Sequence, residues 1–195
     1  MSVIPFPGPA ANADTITEDS WQTLSQHTVA RIALGRAGAS LPTRETLRFA
    51  LAHAQARDAV HTPLDGDTLA ATLQQAGHRV LQVQSAAANR AQYLQRPDLG
   101  RRLHPDSRAL LLAQQTDGCD VLFVVGDGLS SLATASHAAP LLAAMLPYLA
   151  EAGLSVGPVV IASQARVALA DEAGECLRAR LVVMLIGERP GLSSP

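Results

Sequence analysis

Three short runs of this chain, VLFVV at 121–125, VVIA at 159–162 and LVVMLI at 181–186, are apolar at every position and alternate with stretches of helical spacing. A strand with one wet face alternates apolar and polar residues, whereas a strand covered on both faces has no polar side to show. Three such runs separated by helices predict parallel strands sandwiched between two helical layers. The fold class read from this pattern is α/β: a small Rossmann-like three-layer unit with parallel strands, preceded by a mainly helical N-terminal region. The expected boundaries are a disordered leader at 1–16, where Pro, Ala and Asn occur without periodicity, a mainly helical region at 17–115, and the Rossmann-like region at 116–195.

Local signals fill in the elements. Thr17 reads as the N-cap of a short helix to about Gln26, with Glu18 and Asp19 in its first turn. The run RIALGRAG at 31–38 turns, and a helix is expected over 43–59 with Leu47, Ala50, Leu51 and Ala54 as its buried stripe. Asp67 is placed as the cap of a third helix carrying Leu69 and Leu73, closed by Gly77. A strand follows at 80–85, and Pro105 opens a helix with Leu110, Leu111 and Leu112. Pro140 is expected to break the first crossover into two helical pieces. The second crossover helix starts at Ala170 or Asp171 and ends near Arg178. Around the turn Pro-Asp-Leu-Gly, Arg90, Arg96, Arg101, Arg102 and Arg108 read as a solvated face held by local ion pairs, with a partner-binding surface as the alternative.

Composition excludes several functions. A net charge of −2 and 3% aromatic residues leave no basic surface or stacking platform for nucleic acid. No lysine occurs, all 15 basic residues being arginine, which removes Walker-loop and Schiff-base chemistry. Cys119 and Cys176 show neither C-x-x-C nor zinc spacing and read as buried free thiols, and the six histidines show no metal spacing. No signal-peptide pattern opens the chain and no uninterrupted apolar run approaches the ~20 residues of a membrane span, so a cytoplasmic protein without membrane contact is expected. Charged residues are 16% against roughly 25% in ordinary soluble domains, which suggests surface covered by a partner, although abundant alanine explains part of it.

The turn after the first apolar run, Gly126-Asp127-Gly128, invites a phosphate. The dinucleotide pattern is incomplete, because its third small residue is replaced by Ser131, and Gly128-Leu129-Ser130-Ser131 is no nucleophile elbow. Position is more informative than motif. In open α/β sheets ligands bind beyond the carboxyl ends of the strands, and those ends read GDG at 126–128, SQARV at 163–167 and GERPG at 187–191. Asp127, Arg166, Glu188 and Arg189 supply polar contacts there, the glycines allow close backbone approach, and no nucleophile–base pair is present, so no catalytic and no metal-binding residue is assigned. For Asp127 a helix cap is as good a reading as ligand contact, and Glu188 and Arg189 are candidates to pair with each other or with Arg166.

Taken in order, ARIALGRAG at 30–38, YLQRPDLGRRL at 93–103, VVGDGLSS at 124–131, ARVALADEAGE at 165–175 and VVMLIGERPGLSSP at 182–195 resemble the small (light) chain of ethanolamine ammonia-lyase. That resemblance implies an adenosylcobalamin-dependent lyase converting ethanolamine to acetaldehyde and ammonia by radical chemistry. It implies a hetero-oligomer in which the large subunit, a barrel, holds the radical and substrate residues, while the small chain is a Rossmann-like lid holding cobalamin at the interface. Carried over by motif, the cofactor contacts fall on Val167, directly after Arg166, and on Glu188 in GERPG. No histidine sits in a D-x-H-x-x-G pattern, so base-on cobalamin is expected. The family also implies a further tail with a cysteine at the cofactor, which neither Cys119 nor Cys176 matches, hence the expectation of a chain truncated at its C-terminus. A place free in the cytoplasm or within a bacterial microcompartment is left open. Two other readings stand beside this one: a nucleotide-binding Rossmann-like enzyme, and a structural assembly subunit without cofactor contact.

Overall fold

The computed structural model of the protein describes residues 16–114 and 117–188. The expected leader therefore lies outside the described residues except for Ile16, as do Arg189, Pro190 and Gly191. Packing divides the chain into two compact units, Met1–His53 and Ala54–Pro195.

In the first unit, β1 (Ile16–Thr17) pairs antiparallel with β2 (Arg36–Ala37). Thr17 is thus a strand residue rather than a helix cap, and the only helical turn nearby is a 3-10 segment at Gln22–His27. Pairing across the turn supplies β1 with hydrogen bonds that a six-residue helix would have had to make alone, and short isolated helices are marginal. Gly35, at φ +76°, lets β2 close on β1, since a Cβ there would sit 2.9 Å from the Thr17 oxygen. Helix α1 runs Thr43–His61, two residues longer than the spacing suggests. The expected buried stripe is not buried: Leu47 is 64% and Leu51 59% exposed. Helical periodicity marks a face that is able to pack, but burial needs an opposing layer.

The second unit is the α/β domain. Four strands, β3 (Val80–Gln84), β4 (Cys119–Gly126), β5 (Val159–Ser163) and β6 (Ala179–Ile186), form one parallel sheet in the order β3-β5-β4-β6. The continuous apolar runs are explained by alternation across two covered faces. Val121, Phe123, Val125, Val159 and Ile161 pack against α2 (Gly66–Gln75) and α5 (Ser131–Glu151). Leu122, Val124, Val160 and Ala162 pack against α4 (Pro105–Leu112) and α6 (Leu169–Cys176), with α3 (Arg90–Gln95) lying before α4 in the chain. Helix α2 is capped by Asp65, whose carboxylate accepts from Thr68 N, rather than by Asp67. Gly77 does take the left-handed conformation expected of a helix end, at φ +88°.

Helix α5 is unbroken across both Pro140 and Pro147. Each proline removes one backbone donor and strands the carbonyl four residues earlier, but Pro140, Pro147, Ser136 and Ala143 are all exposed, so water satisfies the freed groups. As a result α5 is 21 residues long and apolar enough by length and composition to span a membrane, which the sequence reading did not anticipate. In the fold it is the crossover between β4 and β5, lying on the sheet through Thr134, Ala138 and Leu142.

The amino-terminal end of the sheet is tied by Asp120. Its carboxylate accepts from Ser155 N at 2.9 Å, Ser155 Oγ at 2.7 Å and Arg180 Nη1 at 2.7 Å, joining the starts of β4 and β6 to the loop that leads into β5. The Ser155 hydrogen bonds first, and then Arg180, hold its pKa down at about 2 from an ordinary 3.8. A carboxyl depressed in the folded state adds stability that is complete above its unfolded pKa and lost as pH falls toward the folded one. Asp120→Asn is therefore expected to lower Tm at about pH 7, with the difference from wild type shrinking between about pH 4 and about pH 2. Thermal unfolding across that range checks it; equal Tm values at about pH 7 would mean these bonds add nothing.

Candidate functional site

All four strands are parallel, so their carboxyl ends and the loops that follow lie on one side. Helix α5 leaves β4 for one face of the sheet and α6 leaves β5 for the other. The two loops diverge there, which makes the β4–β5 end the place where α/β sheets open a ligand crevice.

In this protein that crevice is closed by Asp127. Its Oδ1 accepts from Ala165 N and its Oδ2 from Gln164 N, each at 2.9 Å, and Arg90 Nη1 approaches Oδ2 at 3.4 Å. Arg90 also donates from Nη2 to the Gly128 oxygen at 2.8 Å and from Nε to the Val60 oxygen at 2.6 Å. The Asp127–Arg90 pair is nearly buried, at 4% and 15% side-chain exposure. Burial pushes the Asp127 carboxyl above its ordinary value, against the pull of the Ala165 and Gln164 amides and of Arg90. Asp127 is thus neither the cap of α5, whose N-cap is Ser130, nor free to meet a ligand. It locks the loop after β5 to the loop after β4.

The ring of contacts continues on both sides. Leu129 N and Ser130 N donate to the Gly187 oxygen at 2.7 and 2.9 Å, tying the β6 end to the β4 end. Arg166 N donates to the Gly100 oxygen at 2.8 Å, tying the β5 end to the arginine-rich segment. Gly128 and Gly187 serve this knitting. A Cβ on Gly128 would meet Gly187 and Ile186, and one on Gly187 would collide with Ser130. The arginine loop is likewise not simply a solvated face: Arg96 does pair locally with Asp98 at 2.7 Å, but Arg90 is drawn into the core of the platform, 37 residues away from its carboxylate.

What remains on the outside of this locked platform is a short set of side chains. Val167, on the loop after β5, is 55% exposed. Glu188, on the loop after β6, is exposed, and among the described residues it forms no ion pair with Arg166 or any other group. Its suggested pairing with Arg189 lies outside the described residues. Glu188 also borders a cleft of about 510 Å³, lined by Thr134, His137, Leu141, Met184 and Ile186 among others. Val167 and Glu188 follow strands that flank β4, so their loops start about 10 Å apart. Burial raises the pKa of both Cys119 and Cys176, which marks them as packing residues rather than nucleophiles. Among the described residues no group of three or more His, Cys, Asp or Glu is placed to hold a metal ion.

A parallel four-stranded sheet covered by helices on both faces, with the loops at its strand ends fixed to one another, places this unit in the Rossmann-like α/β class. Residues 18–195 match the family described as ethanolamine ammonia-lyase light chain (EutC). The chain is 56% identical over 184 residues to the ethanolamine ammonia-lyase small subunit of Ralstonia nicotianae, covering 93% of this chain and 68% of that protein. It is 54% identical to the protein of the same name from Azotobacter vinelandii, covering 92% and 67%, and 53% identical to that of Xanthomonas campestris pv. campestris, covering 93% and 68%. The chain belongs to the ethanolamine ammonia-lyase light chain family.

Proposed function

We propose that this chain is the small subunit of an adenosylcobalamin-dependent ethanolamine ammonia-lyase, working in the cytoplasm, and that it holds the corrinoid against the large subunit through Val167 and Glu188. The observation that carries the reading is the chemistry left exposed at the strand ends. A corrin has an apolar body with carboxamide arms at its rim. Val167 offers an apolar contact to such a body, and Glu188 an acceptor for amide N–H groups. Both side chains are exposed, which supports their being within reach of the cofactor. When bound, the cofactor supplies the radical by which a hydrogen is removed from ethanolamine; this chain contributes orientation and exclusion of water. The nucleotide alternative is disfavoured because the crevice that would take a pyrophosphate is filled by Asp127 and its backbone partners.

Partnership has its own support. From Ser131 to Ala150 helix α5 carries no Asp, Glu, Lys or Arg, and Leu132, Leu141 and Tyr148 lie exposed along it. Exposed large apolar residues on a helix without charged side chains are consistent with a surface covered in an assembly. Leu132, 68% exposed, is in the first turn of α5 at the same end of the sheet as Val167 and Glu188. A large subunit that encloses a corrinoid at these loops would cover it.

Co-expression with a candidate large chain tests the reading. The purified pair is expected to turn over ethanolamine with adenosylcobalamin, and neither chain to do so alone. Leu132→Asp, which buries nothing new in the isolated chain, is expected to leave the Tm of the free subunit within a few degrees and to weaken association at least tenfold, since a buried unpaired carboxylate at an interface costs several kcal/mol. Size-exclusion and titration of the two chains measure this. Unaltered association would remove α5 from the interface, and turnover by this chain alone would end the subunit reading.

A further inference from the structure

Tyr93 is fully buried, at 0% exposure, and it is held in an unusual way. The guanidinium carbons of Arg90 and Arg166 each lie 4.5 Å from the centre of its ring. Its hydroxyl, by contrast, is buried without a hydrogen-bond partner among the described residues, as are Gln164 Oε1 and Arg166 Nε. Among the described residues Arg166 forms no ion pair; its side chain donates from Nη2 to the Tyr93 backbone oxygen at 3.3 Å. The protein thus stacks a half-buried cation on an aromatic face instead of pairing it with a carboxylate, and desolvated cation–π contacts are the strong ones.

The same spot has no slack. A Cβ on Gly100 would meet Arg166 Cγ at 2.8 Å, Tyr93 Cδ2 at 3.1 Å and the Gln164 oxygen at 3.2 Å. Helix α3, which carries Tyr93, and the turn at Gly100 are therefore wedged directly beneath residues 164–166. The next residue in the chain is Val167. Burial raises the Tyr93 phenol, with Asp127 and Glu188 adding to the rise and Arg166 and Arg90 opposing it.

We propose that Tyr93 is a positioning residue: clasped between Arg90 and Arg166, its ring fixes the backbone at 164–166 and so presents Val167 to the corrinoid. The proposal rests on the assignment of Val167 and Glu188 as cofactor contacts. It makes the ring the working part and the hydroxyl a passenger, because the hydroxyl has no hydrogen-bond partner among the described residues. Removing a buried unsatisfied hydroxyl is neutral or stabilising, so Tyr93→Phe is expected to retain wild-type Tm and cofactor affinity.

The experiment uses the assembled two-chain complex and cyanocobalamin, an inactive probe, titrated by absorbance well below the unfolding temperature, with Tm of each complex measured alongside. Tyr93→Leu, which keeps an apolar residue but no π face, is expected to weaken cyanocobalamin binding about tenfold, and Phe to restore it. Simple packing would lower Tm in the Leu variant without changing affinity in the folded complex. Wild-type affinity in Tyr93→Leu overturns the proposal, and so does a loss in Tyr93→Phe equal to that in Leu. Should Tyr93→Leu fail to assemble, Arg166→Met keeps the stem and the backbone bond to Gly100 while removing the stacked cation; it is expected to weaken binding similarly, and wild-type affinity there overturns the proposal too. Glu188→Ala separates the two levels. If it weakens binding while Tyr93→Leu does not, the positioning role alone fails; if neither has an effect, the cofactor assignment itself fails.

Discussion

Replacing Asp127 with Asn is expected to destabilise the α/β unit by about 3 kcal/mol, roughly 6 to 12 °C in Tm. The carboxylate accepts from two backbone amides and faces a guanidinium, all on the low-exposure side of the strand ends. An amide side chain has one acceptor oxygen for those donors, and its NH2 would be turned toward another N–H or toward Arg90. One backbone donor is then left buried and unsatisfied, and Arg90 loses its counter-charge while keeping its bonds to the Val60 and Gly128 oxygens. The loss should be local in its structural effect, because both core layers lie on the sheet faces rather than at its ends. Thermal and denaturant unfolding measure the loss. A change below about 1 kcal/mol would mean that the crevice is held shut by loop packing alone and that Asp127 is replaceable.

Glu188→Ala carries the second large effect, on binding rather than on folding. Its carboxylate is exposed and unpaired among the described residues, and it stands beside the cleft between α5 and β6. A hydrogen bond to a charged group contributes about 1.5 to 3 kcal/mol, so the assembled complex should lose about tenfold to a hundredfold in cobalamin affinity. A surface ion pair with Arg189 contributes about 0 to 1 kcal/mol and has no reason to alter cofactor binding. Because the side chain is exposed and the residue lies beyond the end of β6, Tm should stay within a few degrees of wild type. Titration of cobalamin into wild-type and Glu188→Ala complexes decides it: unchanged affinity would take Glu188 out of the site.

The two substitutions differ because the two carboxylates, although both follow a strand, face opposite ways. Asp127 faces inward and is spent on the protein's own backbone; Glu188 faces outward. Their sequence contexts, Gly-Asp-Gly and Gly-Glu-Arg, do not distinguish them. Both were legible as strand-end acidic residues, and only the partners brought up from residues 90 and 164–165 assign Asp127 to the scaffold.

The apolar runs at 121–125, 159–162 and 181–186 determined by themselves that this chain builds parallel strands covered on both faces, because a strand with no polar side has nowhere to put a wet face. They also determined which end of the sheet carries the loops with Val167 and Glu188. Sheet order was beyond them: nothing in three similar apolar runs says that β5 lies between β3 and β4, since a strand covered on both faces suits any interior place in the sheet. Helical periodicity located α1 but not its burial, and Pro140 looked like a break until both prolines of α5 fell on its wet side, where a missing donor costs little. The clasp of Tyr93 by Arg90 and Arg166 joins positions up to 76 residues apart in the sequence through a turn at Gly100. Contacts of that kind leave no local pattern of spacing, because what fixes them is the close packing of loops that meet only after the sheet has formed, and the tertiary structure alone decided them.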